Sequence, residues 1–132
     1  MEAGESHIIN NYKVDIINCE HPVTSVGYLF SEKRSRLKDE FKGRPGKELG
    51  ELRKKGVELN EDVFLPLFAF LGDTTDKVFQ DYGEQLLRYP VIFVECTFFT
   101  PDHKEAAAGS LHNHWEYVLD LNFKFDLTYA TL

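Results

Sequence analysis

The stretch VFLPLFAFLGDTT at residues 63–75 decides how the fold is predicted. An apolar run of strand length ends in a carboxylate, Asp73, which lies between a glycine and two threonines. Asp73 could cap the helix predicted to follow, by accepting a hydrogen bond from a backbone amide. Alternatively, it is a metal ligand at the carboxyl end of a strand, where α/β sheets place ligand sites. This stretch alone leaves both interpretations open.

Strand and helix patterns alternate through the rest of the chain. Apolar patterns predict strands at 12–18 and 91–99, and residues 21–30 predict a turn at Pro22 followed by a strand. Pro66 predicts an edge or a bulged start in the strand at 63–71. Helices are predicted at 47–55, ending at Gly56, and at 76–87. Shorter elements follow: helices at 101–108 and 115–121, and a strand at 123–129. The alternation predicts an α/β fold in which a mixed sheet is flanked by helices.

The composition is that of a folded domain. The chain has 132 residues and a hydrophobic content of 42%, so residues 1–132 are expected to form a single domain. No apolar run approaches the ~20 residues that span a membrane, and residues 1–11 show no secretory signal. Cys19 and Cys96 are therefore expected to be reduced thiols of an intracellular protein.

The charge is unevenly distributed, with a basic segment at residues 33–59 in a chain of net charge −7. It contains ten of the 15 Lys and Arg residues: Lys33, Arg34, Arg36, Lys38, Lys42, Arg44, Lys47, Arg53, Lys54 and Lys55. A basic block on an acidic protein is typical of a surface that binds a polyanion. The alternative is a solvent-exposed helical face with i,i+4 ion pairs such as Glu51–Lys55.

Metal-binding or acid–base side chains occur near the ends of several predicted elements: His21, Asp73, Glu95, and the pair His112 and His114. His21 also fits an ordinary turn. Glu95 lies within the apolar run VIFVECTFF, so it needs a partner if it is buried and none if it is exposed. An extended HxH pair directs both rings to one side, which suits a metal or an acid–base role but is a weak signal by itself.

The order of the motifs is more specific than any one of them. The chain carries HPVTSVGY at 21–28, GRPGKELGELRKKGVEL at 43–59, FAFLGDTT at 68–75, VIFVECTF at 91–98 and LHNHW at 111–115. From about Tyr12 to Trp115 it resembles the tRNase Z (ribonuclease Z) family, most closely its short-form eukaryotic members. The resemblance implies a zinc-dependent endoribonuclease of the metallo-β-lactamase fold that removes the 3′ trailer from precursor tRNA. The length of the chain implies about half of that αββα sandwich.

The resemblance also implies roles for single residues. His21 and Asp73 match metal ligands, with Asp73 bridging two zinc ions and Gly72 leaving room for them. Glu95 and His112 match a catalytic pair in which the carboxylate orients a proton-donating histidine. His114 is a second histidine candidate near the same motif. The ten basic residues of segment 33–59 match elements that contact the tRNA, mainly through its phosphates.

Parts of the family pattern have no counterpart in this sequence. Nothing matches the HxHxDH motif, and no histidine follows His114. Two matched ligands are too few for a closed zinc site, which needs about four, so no dinuclear centre is expected from this chain alone. Three explanations stay open: a C-terminal part of a longer enzyme, a subunit whose partner supplies the motif, or a remnant that binds RNA without cutting it. Another metallo-β-lactamase-type hydrolase, acting on a small ester, is a further alternative.

Half of a sandwich would leave one face of its sheet uncovered. An exposed apolar surface could then form from Phe64, Phe68, Phe70, Phe93, Phe98 and Phe99. Such a surface predicts a homodimer or a partner chain. The alternative is that these phenylalanines pack under the helices of the chain itself.

Overall fold

A computed structural model describes residues 2–97, 100–110, 112, 113 and 116 of the chain. The strands are β1 (Ser6–Ile9), β2 (Tyr12–Cys19), β3 (Ser25–Leu37), β4 (Asn60–Phe70) and β5 (Ile92–Phe93). The helices are α1 (Gly46–Lys54), α2 (Lys77–Leu86) and α3 (Lys104–Ser110), with 3₁₀ turns at Asp39–Phe41 and Pro101–His103. The helix predicted at 115–121, apart from residue 116, and the strand predicted at 123–129 lie outside the described residues.

Within these residues the strands form one mixed sheet in the order β1-β2-β3-β4-β5. Neighbouring strands from β1 to β4 pair antiparallel, whereas β5 pairs parallel to β4. Strands β2, β4 and β5 therefore run in the same direction, and their carboxyl ends meet at one edge of the sheet. The predicted α/β class with a mixed sheet is confirmed.

Helix α2 covers one face of the sheet. Its apolar side chains pack with residues of β2, β3 and β4 in a buried cluster that includes Ile17, Leu29, Ala69, Leu71, Val78, Phe79 and Leu86. Each fully buried side chain of this size contributes ~1.5–3 kcal/mol, so packing rather than helix propensity stabilises α2. No helix of the described ranges is long and apolar enough to cross a membrane.

Strands β3 and β4 form a long antiparallel arm. Their register shifts between Phe30 and Ser31, which pair with Phe68 and Pro66, so the bulge predicted at Pro66 is confirmed. The predicted end of β3 at Phe30 is wrong, because residues 33–37 pair with the first half of β4. The first part of the basic segment is therefore strand, and the rest of it forms the tip of the arm.

The predicted strand at 91–99 is wrong over most of its length. Of residues 91–97, the part of this run that the structure describes, only Ile92 and Phe93 join the sheet, opposite Ala69 and Phe70. Because β4 ends at Phe70 and the chain then turns into α2, residues 94–97 have no strand beside them within the described part of the chain. Phe93 is 43% exposed, so this segment is not covered on both faces.

An aromatic cluster of Phe30, Phe68, Phe70 and Phe93 lies on the opposite face of the sheet from α2. Phe30 stacks on Phe68 with ring centroids 4.6 Å apart, and Phe93 contacts Phe68 and Phe70 at 6.0 and 6.1 Å. Side chains alternate along a strand, and Ala69 belongs to the cluster under α2, so its neighbours Phe68 and Phe70 point away from that helix.

The predicted exposure of phenylalanines holds for part of the set. Phe70 is 52% exposed and Phe64, nearer the arm tip, is 42% exposed, so neither packs under a helix. Phe68 is half-buried by its aromatic neighbours. Phe98 and Phe99 lie outside the described residues.

Candidate metal centre

Three of the predicted site residues follow strands that end at the same edge of the sheet. His21 comes two residues after β2, Asp73 three after β4 and Glu95 two after β5. His112 lies beyond α3 and reaches the same edge from the other side. The location predicted for Asp73, at the carboxyl end of a strand, is therefore shared by His21 and Glu95.

His21, Asp73 and His112 converge at this edge. One ligand atom from each of them lies within 4.8 Å of the others. The two Nε2 atoms are 3.4 Å apart, and the imidazole rings meet edge to face with centroids 5.0 Å apart. His112 is therefore a third candidate donor beside the two ligands predicted from the sequence.

The hydrogen bonds of the two histidines direct their Nε2 atoms at each other. Nδ1 of His21 lies 3.3 Å from both the carbonyl oxygen and the backbone nitrogen of Val23, and Nδ1 of His112 lies 3.2 Å from Oε1 of Glu95. A metal-bound histidine usually donates its other ring N–H to a carbonyl or a carboxylate. If both Nδ1 atoms donate, the two Nε2 lone pairs face each other and can hold a cation between them. If Nδ1 of His21 instead accepts the Val23 N–H, its Nε2–H donates to Nε2 of His112.

Zinc fits this donor set. Nitrogens bound at about 2.0–2.1 Å to a tetrahedral zinc are about 3.3 Å apart, close to the observed separation of the two Nε2 atoms. The ligand atoms of the group lie within 4.8 Å of one another, so the Asp73 oxygen would move closer by at most about 1.5 Å, which rotation of its exposed side chain can provide. Three protein ligands are also the number that a catalytic zinc takes when a water occupies its fourth position.

Cys19 lies near Asp73 and Thr74 but is not part of the candidate ligand group. Its side chain is 3% exposed, and burial raises the pKa of its thiol, against hydrogen bonds from Gly72, Thr74 and Ser25. The neutral thiol is therefore the favoured form at neutral pH, whereas zinc binds the thiolate.

Glu95 has the hydrogen-bond partners that a carboxylate in an apolar segment requires. Its Oε1 lies within hydrogen-bond distance of His112 Nδ1 and accepts the backbone N–H of Asn113 at 3.0 Å, while Thr97 donates to Oε2. The Asn113 amide donates in turn to the backbone oxygen of Glu95 at 3.2 Å. Asn113 is 1% exposed and was missed by sequence reasoning, since an asparagine between two histidines carries no distinguishing pattern.

Asp73 is not the cap of α2. The Thr75 hydroxyl accepts the backbone N–H of Lys77 at 3.2 Å, whereas the Asp73 carboxylate forms no hydrogen bond or ion pair with a described residue. The role predicted for Gly72 is also wrong. A side chain there would come within 2.5 Å of Ser25 Oγ and 2.8 Å of the Val26 carbonyl, so the glycine makes room for β3 rather than for metals.

The basic segment divides into two sets. The paired set forms ion pairs with nearby carboxylates and contains Lys33, Arg34, Arg36, Lys42 and Arg44. The unpaired set forms no ion pair with a described residue and contains Lys38, Lys47, Arg53, Lys54 and Lys55. All of the unpaired set except the half-buried Lys38 is exposed, and it lies on and around α1 at the arm tip.

The site therefore groups four of the predicted residues and separates the rest. His21, Asp73, Glu95 and His112 lie together, while the ten basic residues lie towards the other end of the β3–β4 arm. His114 lies outside the described residues. Sequence reasoning missed Glu20, whose carboxylate accepts a hydrogen bond from Thr75 beside the centre.

Comparison with known proteins identifies the family. No protein-family model matches the chain. It is 34% identical over 129 residues to tRNase Z TRZ1 of Arabidopsis thaliana, covering 96% of this chain and 46% of that protein. It is 28% identical over 126 residues to the chloroplastic tRNase Z TRZ2 of the same plant, covering 91% of this chain and 35% of the relative.

The chain thus spans about half or less of the curated relatives it matches. The match over 96% of the chain also extends beyond Tyr12 to Trp115, the range over which the resemblance was predicted. The mixed sheet with its helices agrees with part of the metallo-β-lactamase fold of these relatives. The chain therefore belongs to the tRNase Z family and corresponds to a partial segment of such a protein.

Proposed function

We propose that this chain supplies one side of a zinc centre and the RNA-contacting arm of an endoribonuclease that removes the 3′ trailer from precursor tRNA. The observation that carries the proposal is the convergence of His21, Asp73 and His112, with Nε2 atoms 3.4 Å apart. Imidazole nitrogen and carboxylate oxygen are ligands that zinc accepts readily. The name tRNase Z, carried by both relatives, supports this reaction.

His21 and Asp73 are the proposed ligands of the centre. Bound zinc would supply a water that is readily deprotonated at neutral pH and would polarise the scissile phosphodiester. The exposed Asp73 carboxylate has no competing partner among the described residues, so both of its oxygens are available for the bridging role. The ligands of a second ion would come from an HxHxDH motif, which we propose is carried by another segment or chain.

Glu95 and His112 are the proposed proton-transfer pair. By accepting the Nδ1–H of His112, Glu95 holds the ring so that Nε2 faces the centre. That Nε2 can carry the proton that the departing 3′ oxygen takes up, or it can act as the third ligand. A His112→Ala variant distinguishes the two roles. Zinc binding weakens if His112 is a ligand and stays unchanged if it only donates a proton.

Segment 33–59 is the proposed RNA-contacting insertion. Strand β3 spans 13 residues between the metal centre and the arm tip, which corresponds to about 40 Å. A substrate that touches both ends must be extended, as tRNA is, and this disfavours the small-ester hydrolase. The unpaired set is the proposed phosphate-binding surface, since its charges are not already neutralised by carboxylates.

A partner is the proposed cover of the aromatic cluster. Half-exposed rings such as Phe70 and Phe93, grouped on one sheet face, are typical of an interaction surface. In an αββα sandwich this face would pack on a second sheet, from a second copy or from another segment or chain. We also propose an intracellular location, because neither cysteine forms a disulfide with a described residue.

The zinc content of the purified chain tests the centre. Elemental analysis, on a sample whose mass in solution is also measured, is expected to give about one zinc per chain, because a catalytic site takes three protein ligands. Asp73→Asn is expected to lose that zinc, whereas the control Asp62→Asn, which breaks an ion pair on the arm, retains it. Less than about 0.2 zinc per chain would refute the zinc centre.

A precursor tRNA with a 3′ trailer then tests the reaction. Zinc-dependent cleavage at the trailer junction, abolished by Asp73→Asn, is the expected result in an assembly that contains the HxHxDH motif. The second candidate, an RNA-binding remnant, is favoured by the absence of that motif from this sequence. RNA binding that is salt-dependent but unaffected by zinc and by Asp73→Asn would support the remnant instead.

A further inference from the structure

Two of the proposed ligands lie on loops that are not neighbours in the sheet. His21 is in the loop between β2 and β3, Asp73 is in the loop between β4 and α2, and β3 separates β2 from β4. Strand pairing therefore fixes the bases of these loops but not the distance between their tips. Other contacts have to bring the two ligands together.

Glu20, Thr74 and Thr75 connect the two loops directly. The backbone N–H of Glu20 donates to Thr74 Oγ1 at 3.2 Å, and the Thr75 hydroxyl donates to the Glu20 carboxylate at 2.6 Å. Thr74 is completely buried, so water does not compete for its hydroxyl. We call these three residues the Glu20 clamp.

The hydroxyl groups of the clamp are fully used. Thr74 Oγ1 accepts from Glu20 and donates to the Thr75 carbonyl at 3.1 Å. Thr75 Oγ1 donates to Glu20 and accepts the N–H of Lys77, the first residue of α2, at 3.2 Å. The contact with the Lys77 N–H anchors this network to the start of α2.

We propose that the Glu20 clamp is a positioning device that sets the spacing of His21 and Asp73 for the metal, an inference that rests on the proposed zinc centre. Glu20 directly precedes His21, and Thr74 directly follows Asp73. A shift of either clamp residue therefore passes to a ligand through one peptide unit. The clamp touches no reacting atom, so it acts on ligand geometry rather than on the chemical step.

Metal affinity of the full chain tests the clamp. Zinc competition with a chelating dye is expected to show a loss of about 10- to 100-fold in Glu20→Ala and in Thr74→Val, the usual effect of removing a residue that orients a ligand. Glu20→Gln should recover most of the affinity, because its amide oxygen can still accept the Thr75 hydroxyl. The control Glu84→Ala, on the exposed side of α2, should bind zinc like the wild type.

Cobalt substitution distinguishes ligand geometry from general destabilisation. The visible absorption of Co²⁺ in the centre should change in Glu20→Ala and not in Glu84→Ala, at temperatures where both metal-free chains are folded. Zinc affinity and cobalt spectra that stay unchanged in both Glu20→Ala and Thr74→Val would overturn the proposal. An equal loss in Glu84→Ala would overturn it as well.

Hydrogen exchange of the metal-free chain separates the clamp from the zinc centre. The Glu20 amide should exchange slowly in the wild type and fast in Thr74→Val, because the Thr74 hydroxyl is its acceptor. Fast exchange in the wild type would overturn the clamp even if the chain binds zinc. Slow exchange in a chain that takes up no zinc would instead refute the zinc centre, and with it the positioning role.

Discussion

Replacement of Gly72 by alanine should strain the junction between the sheet and the Asp73 loop. The added Cβ would lie 2.5 Å from Ser25 Oγ and 2.8 Å from the Val26 carbonyl oxygen, whereas ordinary contact begins at 3.4 Å. The Ser25 hydroxyl can rotate away. The Val26 carbonyl cannot move alone, because Val26 is held opposite Asn18 in the β2–β3 ladder.

The expected change in the free energy of unfolding follows from two opposing effects. Forcing a methyl group into a packed site costs about 1–3 kcal/mol, and loss of glycine flexibility in the unfolded chain returns about 0.4–1 kcal/mol. We therefore expect a net loss of about 1–2 kcal/mol in the free energy of unfolding. For a chain of this size that corresponds to a fall of about 3–10 °C in Tm.

Thermal and urea unfolding of matched variants measure the effect. Gly50→Ala is the control, since Gly50 lies within α1 with nothing within 4 Å of an added Cβ, and alanine there should leave Tm unchanged or raise it. The double variant Ser25→Ala, Gly72→Ala removes the closer contact but not that with Val26, so it should recover only part of the loss. A Tm of Gly72→Ala equal to that of the wild type, or complete recovery in the double variant, would refute the reasoning.

Three further predictions concern the centre and the arm. Alanine replacement of the unpaired set should weaken RNA binding, measured by fluorescence anisotropy. The slope of the logarithm of the RNA-binding constant against the logarithm of the salt concentration should become smaller by up to about 4, whereas alanine replacement of the paired set should change this slope by less than about 1. His112→Ala should lower zinc affinity more than about 10-fold in a dye competition, and an unchanged affinity would assign His112 to proton transfer alone. Burial raises the pKa of both thiols, but Cys19 is 3% exposed whereas Cys96 is only half-buried, so iodoacetamide at pH 8 should modify Cys96 first and Cys19 only in urea. Equal labelling of both cysteines in the folded chain, measured by mass spectrometry, would contradict this.

Elements with local signals could be predicted from the sequence. The end of α1 at Gly56 is an example, because Gly56 has a φ of 81° and its N–H and that of Val57 bond to the carbonyls of Arg53 and Leu52. Helix α2 was likewise recognisable from its apolar side. Strand β1 was not predicted, although the asparagine at position 10 was a signal for a turn. Asn10 has a φ of 56° and begins a two-residue hairpin turn, so that Ile9 lies opposite Tyr12.

Features that depend on distant partners could not be predicted from the pattern of residues. The apolar run at 91–99 has the composition of a buried strand, but its length in the sheet is limited by where β4 ends. The contact between His112 and His21, which are 91 positions apart, likewise depends on the tertiary fold. Neither Glu20 nor Asn113 shows its role in the sequence, since each acts through a hydrogen bond to a residue on another loop.

The β3–β4 arm connects the two predicted functions, and its geometry decides whether they work on one substrate. β3 begins at Ser25 beside the candidate metal centre and ends at Leu37 near the basic tip, so its roughly 40 Å length separates the proposed phosphate-binding surface from the proposed site of cleavage. The bulge at Pro66 lies within this span and increases the local twist of the arm. One extra residue in a strand also moves the side chains beyond it to the opposite face of the sheet. The bulge therefore determines on which side of the arm each tip residue lies. In the proposed function, the register of these two strands therefore sets the position of the RNA relative to the zinc ligands. The residues of the strands contact neither the proposed metal nor the site of cleavage.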